Sequence, residues 1–121
     1  MKLERVAEGD RFTVFALVLD NGSCPALEFL TEVEKSNTDS FDQLVAAIER
    51  HSNHGPLKSK RHSNALDDKV FEFKCRGIER IAYFYTPGRV TILTHGFKKP
   101  KNYSSEIRRA RALMEAWEAL Q

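Results

Sequence analysis

The spacing of apolar residues divides the first half of the chain into a strand and two helices. Residues 12–19 are almost continuously apolar, which predicts a buried strand that ends at the turn signal of residues 20–22. Apolar side chains then recur every three or four residues over 27–33 and 41–48, as on the buried face of a helix. Residues 53–56 end the second helix, because a glycine there is followed by a proline. This half therefore predicts a strand followed by a helical hairpin.

Shorter apolar segments in the second half predict three strands and a last helix. Residues 70–75, 79–85 and 90–94 are rich in β-branched and aromatic side chains, and short turn signals separate them. Three strands at this spacing are typical of an antiparallel meander. A helix is predicted to follow Ser104, and its apolar face holds Ile107, Ala110, Leu113, Met114, Trp117 and Leu120.

The order of these elements is β-α-α-β-β-β-α, which predicts an α+β fold. We expect an antiparallel sheet with a helical hairpin and a C-terminal helix, and we expect the helices to cover one face of the sheet. The chain has no repeat and no linker-like stretch, so residues 1–121 are expected to form a single domain. On this arrangement the other face of the sheet is open, and candidate functional side chains would lie there.

The charged residues are distributed unevenly, although the net charge of the chain is only +2. Residues 1–55 carry 5 basic and 10 acidic side chains, a balance of −5. Residues 56–121 carry 14 basic and 7 acidic side chains, a balance of +7. This asymmetry excludes a uniformly basic nucleic-acid coat protein, and it suggests a polyanionic partner for the second half.

Several features indicate where such a protein would work. The longest nearly continuous apolar stretch, residues 12–19, is far shorter than the roughly 20 residues that a membrane helix needs. The first residues lack the apolar block of a secretory signal, and Cys24 and Cys75 are too few for a disulfide framework. We therefore expect a cytoplasmic location and no membrane partner. Neither the cysteines nor the histidines have the spacing of metal ligands, so we expect no metal site and no cofactor.

Three segments of the second half resemble those of a known family. They are residues 72–74 (EFK), 79–85 (ERIAYFY) and 93–99 (LTHGFKK), and residues 106–110 (EIRRA) fit the same pattern. In these segments and in its order of elements, the chain resembles the RelE/ParE toxin superfamily and, more narrowly, the HigB-like branch of phage-derived toxins. The resemblance implies a small toxin bound by a cognate antitoxin of helix-turn-helix type. It also implies action on mRNA at the ribosome, since many members cleave mRNA there.

Metal-independent RNA cleavage needs a base for the 2′ proton, positive groups around the phosphorane and an acid for the leaving oxygen. Within this resemblance, the expected catalytic residues are Arg80, His95 and Lys98. The Arg80 guanidinium would bind phosphate from the open sheet face, and the His95 imidazole titrates near neutral pH. For Arg80 the alternative is an ion pair with Glu72 or Glu79. For His95 the alternative is a hydrogen bond to a backbone group at the end of a strand.

Further basic and aromatic side chains are candidates for contact with RNA. These RNA-binding candidates are Lys58, Lys60, Arg61, Lys74, Lys99 and Tyr103. For the lysines and the arginine, the alternative is a solvated surface charge. Tyr83 and Tyr85 could stack on a base, although packing is the more common role of aromatic residues in a sheet. His51 and His54 lie near the end of the second helix, where we expect them to interact with its dipole.

Two classes of function stay open at this point. The first is the toxin of a type II toxin–antitoxin system, acting as a ribosome-dependent mRNA endoribonuclease. The second is a non-catalytic protein of prophage origin that binds a partner, or a toxin of the same fold that targets gyrase. Lys74 leaves room for the second class, because the resembling family usually has arginine at this position.

Overall fold

The computed structural model describes all 121 residues and contains three helices and one six-stranded sheet. In chain order the elements are β1 (Lys2–Glu8), β2 (Thr13–Val18), α1 (Pro25–Ser36), α2 (Thr38–His54), β3 (Ser63–Ala65), β4 (Phe71–Lys74), β5 (Glu79–Thr86), β6 (Val90–Lys98) and α3 (Ser104–Glu118). The α+β class is confirmed, and this order of elements is consistent with a RelE-like fold. No helix is both long enough and apolar enough to cross a membrane.

The strands lie in the order β1-β2-β6-β5-β4-β3. The predicted meander is present, since β4 pairs with β5 and β5 with β6, both antiparallel. The sheet as a whole is mixed, because β2 pairs with β6 in the parallel direction. The helical hairpin is part of the long connection from β2 to β6 that a parallel pair requires; the other part is β3, β4 and β5. The apolar pattern of a strand does not encode the direction of its neighbour, so this pairing corrects the expectation of an antiparallel sheet.

The apolar pattern did not reveal two strands, both at the edges of the sheet. β1 mixes exposed charged residues with half-buried apolar ones, and it contains no long apolar run. β3 has only three residues and lies in the polar stretch before the meander. Edge strands are paired on one side only, and charged side chains are common there.

The helices cover both faces of the sheet, and this corrects the expectation of one open face. The hairpin packs on one face, where Leu44 of α2 lies in a cluster with Phe73 and Ile81. α3 packs on the opposite face, where Trp117 meets Phe84 with ring centroids 6.0 Å apart. Residues 79–84 of β5 are consequently all buried. The side chains of β5 are mostly apolar on both faces, so its sequence does not show which face α3 will cover.

Candidate functional site

Arg80 lies on the face of β5 that α3 covers, and only 6% of its side chain is exposed. Its Nη1 donates to the carbonyl oxygens of Gly77 and Glu79, each at 2.8 Å. Its Nε lies 3.7 Å from Oε1 of Glu72, close enough for an ion pair, although neither atom has a hydrogen-bond partner. The guanidinium is therefore held by the backbone of its own turn and by one buried carboxylate, which matches the structural alternative for this residue.

Glu72 and Tyr103 complete a polar cluster around Arg80. The Tyr103 hydroxyl donates to Oε2 of Glu72 at 3.4 Å, a long hydrogen bond that joins β4 to the residue before α3. Burial raises the pKa of the Glu72 carboxyl, while Tyr103, Arg80 and Lys74 act in the opposite direction. From the sequence, Glu72 was part of the EFK segment and a possible ion-pair partner of Arg80, without a functional role of its own. One feature of the sequence could have identified Glu72 as a site residue, namely an ionisable side chain at a buried position of a strand.

His95 is completely buried and bonded at both ring nitrogens. Its Nε2 lies 2.9 Å from Oε1 of Glu106 in the first turn of α3, and its Nδ1 lies 3.1 Å from the Thr94 hydroxyl. Burial lowers the pKa of the imidazole, and the hydrogen bond that its ring N–H donates to Glu106 opposes that effect. Both partners are side chains, not the backbone group that the alternative interpretation expected. In this arrangement His95 connects β6 to α3 and does not reach the surface.

The two buried polar groups are neighbours beneath the first half of α3. Phe97 lies between them, with its ring centroid 5.4 Å from that of His95 and 5.9 Å from that of Tyr103. Phe97 is also the register partner of Arg80 on the adjacent strand. Arg80, His95 and Tyr103 therefore all lie around Phe97 on the side of the sheet that α3 covers, and not on the open face that the sequence predicted.

The lysine and arginine candidates are divided between two places. Four of them lie at one end of the sheet, which we call the basic end: Arg61, Lys74, Lys98 and Lys99. Lys74 donates its backbone N–H to the carbonyl of His62, and Lys99 donates its own to the carbonyl of Ile78. The loop before β3 therefore joins the end of β4, and the end of β6 joins the β4–β5 turn, at the same end of the sheet. None of the four side chains forms an ion pair.

Lys58 and Lys60 lie elsewhere, beside the β3 edge of the sheet. They line a cavity of about 420 Å³ together with Tyr83 and Tyr85. The Tyr83 hydroxyl lies 2.6 Å from the Ser63 hydroxyl, and its ring is stacked on Phe73 with centroids 4.1 Å apart. Tyr83 is thus a packed core residue, whereas Tyr85 is only half-buried.

The histidine at the end of α2 has a structural role that its position did not suggest. His51 was expected to interact with the helix dipole, but its side chain points into the core and is 0% exposed. Its Nε2 lies 2.9 Å from the Thr91 hydroxyl, and the ring is stacked on Phe12. His54 is exposed in the last turn of the helix. No group of three or more histidine, cysteine, aspartate or glutamate side chains could hold a metal ion.

Comparison with known proteins gives one family. The model of the family described as "Phage derived protein Gp49-like (DUF891)" matches residues 28–115, which is more than two thirds of the chain. The match includes all of α2, β3, β4, β5 and β6, so it spans both the buried polar groups and the basic end. No curated protein compared with the chain matches it.

Proposed function

Because the chain belongs to the Gp49-like family of phage-derived proteins, which has the RelE/ParE-like toxin fold, we propose that it is the toxin of a toxin–antitoxin pair and cleaves mRNA. The residues 93–99 (LTHGFKK) support the narrower placement in the HigB-like branch, whose pattern they resemble. The ribosome as the place of action and a helix-turn-helix antitoxin as the partner belong to the same proposal. So does the cytoplasm as its location.

The basic end is the observation that supports action on RNA. Lys98 and Lys99 are exposed, Lys74 is half-buried, and none of them has a carboxylate within ion-pair distance, although Lys74 lies near Glu72 and Lys98 near Glu79. Cationic side chains without partners gain most from an approaching phosphate backbone, because binding releases the counterions that surround the RNA. These lysines would bind the RNA backbone, and Lys98 would stabilise the charge that develops on the phosphorane.

The buried groups set a condition on the chemical step. Arg80 lies directly across the β4–β5 pair from Lys74, but the buried Glu72 carboxylate 3.7 Å from its Nε offsets part of its charge. His95 is proposed as the proton-transfer group, but its contact with Glu106 must open before RNA can reach it. In the conformation described, His95 positions α3, and only displacement of the first turn of that helix would expose the imidazole.

The burial of His95 and Arg80 specifically favours a second candidate function. Without a free base at the surface, the same fold would act as a non-catalytic binding protein or as a toxin that targets gyrase. Growth arrest without RNA cleavage would identify this class of function.

Controlled expression in a bacterium separates these functions. A toxin that cleaves mRNA arrests growth and creates new discrete 5′ ends within coding regions, which sequencing of RNA ends detects. Growth arrest with intact mRNA would favour the gyrase-targeting or binding alternative. Unchanged growth together with normal translation would contradict the toxin proposal itself.

A further inference from the structure

A second basic cavity lies beside the basic end, between α2 and the turn that joins β4 to β5. Its volume is about 620 Å³, within the range of ordinary small-molecule sites. The residues that line it are Gln43, Ala46, Arg50, Arg61, His62, Cys75 and Arg76. Three arginines and a histidine thus face one space, and no carboxylate is among the lining side chains.

The positive charge in this cavity is largely unneutralised. Arg76 has one acidic partner, Asp39, whose Oδ2 lies 3.6 Å from its guanidinium, and both side chains are exposed. Arg50 and Arg61 have no carboxylate within ion-pair distance. The pKa of His62 is lowered by burial and by the positive charges of Arg50 and Arg61. Three separate parts of the chain therefore direct cationic groups at the same volume.

Hydrogen bonds hold the walls of the cavity in place without a ligand. The Arg76 backbone N–H donates to Oε1 of Gln43 at 2.7 Å, which fixes the β4–β5 turn against α2. The N–H groups of Arg61 and His62 donate to Ser59, and the carbonyl of His62 accepts from β4. The backbone that carries the arginines is therefore organised beforehand, which lowers the entropic cost of binding.

We propose that this cavity binds the terminal phosphate of a small phosphorylated molecule, such as a nucleoside monophosphate. An arginine guanidinium offers a planar fork of N–H donors that matches phosphate oxygens. A monoester is a dianion at neutral and higher pH, so it offsets two of the cavity's positive charges, whereas a carboxylate or a phosphodiester offsets one. Free phosphate and nucleotides share this chemistry, and the cavity has room for a nucleoside next to the phosphate.

This proposal goes beyond RNA cleavage and does not depend on it. Arg50 and Arg76 are not part of the basic end, and binding can be measured on the purified chain without ribosome or antitoxin. Loss of binding and loss of mRNA cleavage can therefore be observed separately. Both arginines are exposed, so alanine at either position removes little buried surface and should leave the fold intact.

Isothermal titration calorimetry at pH 8 and low salt tests the site. The ligands are AMP, inorganic phosphate, adenosine and the dinucleoside phosphate ApA. We expect AMP and phosphate to bind, adenosine not to bind, and ApA to bind at least about tenfold more weakly than AMP, a difference of about 1.4 kcal/mol. Tighter binding of AMP than of phosphate would identify a nucleotide site, and equal binding would identify a phosphate site.

The double variant Arg50→Ala/Arg76→Ala should weaken AMP binding at least about tenfold. Arg108→Ala is the matched control, because Arg108 is also an exposed helical arginine but lies on α3, across the sheet. Circular dichroism verifies that each variant is folded. Absence of binding by both AMP and phosphate would overturn the proposal. So would equal affinity for AMP and ApA, or equal losses in the double variant and the control.

Discussion

The two buried histidines show how differently one residue type is used in this chain. His51 is surrounded by aromatic rings, among them Phe12 and Tyr85 with centroids 4.9 and 5.8 Å away, and has only the Thr91 hydroxyl as a polar partner. Burial lowers the pKa of this imidazole to about 4. His95 instead faces the carboxylate of Glu106, which favours its charged form. Protonation of His51 therefore destabilises the folded chain, because no negative charge faces the imidazole. At His95 the Glu106 carboxylate partly offsets the same cost.

The pKa of His51 predicts a loss of stability in weak acid. Its pKa is about 6.5 in the unfolded chain and about 4 in the folded one, so between these values the unfolded state binds more protons. The contribution of His51 is complete above pH 6.5 and is lost progressively as the pH falls towards 4, by about 3 kcal/mol in total. Urea unfolding at pH 7 and at pH 4.5 measures this loss. His51→Gln removes the titrating group, so the variant should lose less stability over the same interval; an equal loss would contradict the assignment.

The Glu106 carboxylate is predicted to support the protonated form of His95. In Glu106→Gln a hydrogen-bond partner stays but the negative charge is removed, so the pKa of His95 should fall further below its usual value. NMR titration of the His95 ring proton measures this change. Glu115→Gln removes an exposed carboxylate from the same helix and is the control. A rise in the pKa of His95, or a fall of equal size in the control, would be inconsistent with the contact.

At the scale of elements, α3 is attached to the sheet by a few polar contacts and an apolar stripe. Arg111 donates to Asp67 at 2.5 Å and also pairs with Asp68, both in the loop between β3 and β4. Ala110, Met114 and Trp117 are its buried apolar side chains. The proposed function needs only the first turn of this helix to move, and the contacts of Arg111, Met114 and Trp117 all lie beyond that turn. The second half of α3 can therefore remain docked while the first turn opens.

The glycine of the HGFKK segment has a packing role that is open to test. A Cβ atom on Gly96 would lie 2.0 Å from the ring of Phe29, so α1 can approach β6 only because this position has no side chain. Gly96→Ala should lower the free energy of unfolding by about 1–3 kcal/mol, since the Phe29 ring must leave its place. Urea unfolding measures the change. A variant as stable as the parent chain would show that the contact between α1 and β6 is loose.

The helices and the central strands could be predicted from the sequence, but the burial of the candidate site residues could not. The apolar periodicity located α1, α2, α3 and the meander, because these elements each bury a regular face. Arg80 was located on the correct strand, but His95 was expected just beyond a strand predicted over residues 90–94, whereas β6 continues to Lys98. The burial of both residues depends on α3, whose docking face is a long-range property. Ile81 and Ala82 are both apolar, so the pattern of β5 gave no reason to choose one face. Glu106 was missed as the partner of His95 for the same reason, whereas Glu72 had been considered as a partner of Arg80.

At the scale of the whole molecule, the modest net charge conceals two surfaces of opposite character. Exposed acidic residues line the helical hairpin: Glu28, Glu32, Glu34, Asp39, Asp42 and Glu49. The basic end and the arginine cavity gather cationic side chains from segments that are distant in sequence. Along the chain, the acidic excess lies in residues 1–55 and the basic excess in residues 56–121. Backbone hydrogen bonds at the ends of β4 and β6 bring the basic segments to one end of the sheet.

The central claim is that the basic end is the surface through which this toxin-like chain cleaves mRNA. The most direct test is to count new 5′ ends in coding regions after expression of the parent chain and of Lys98→Ala/Lys99→Ala. Lys2→Ala/Lys35→Ala removes two exposed lysines from other surfaces and is the matched control. We predict that the first variant reduces the new ends at least about tenfold and that the control keeps them. Equal numbers of new ends in both variants, or none in the parent chain, would contradict the claim.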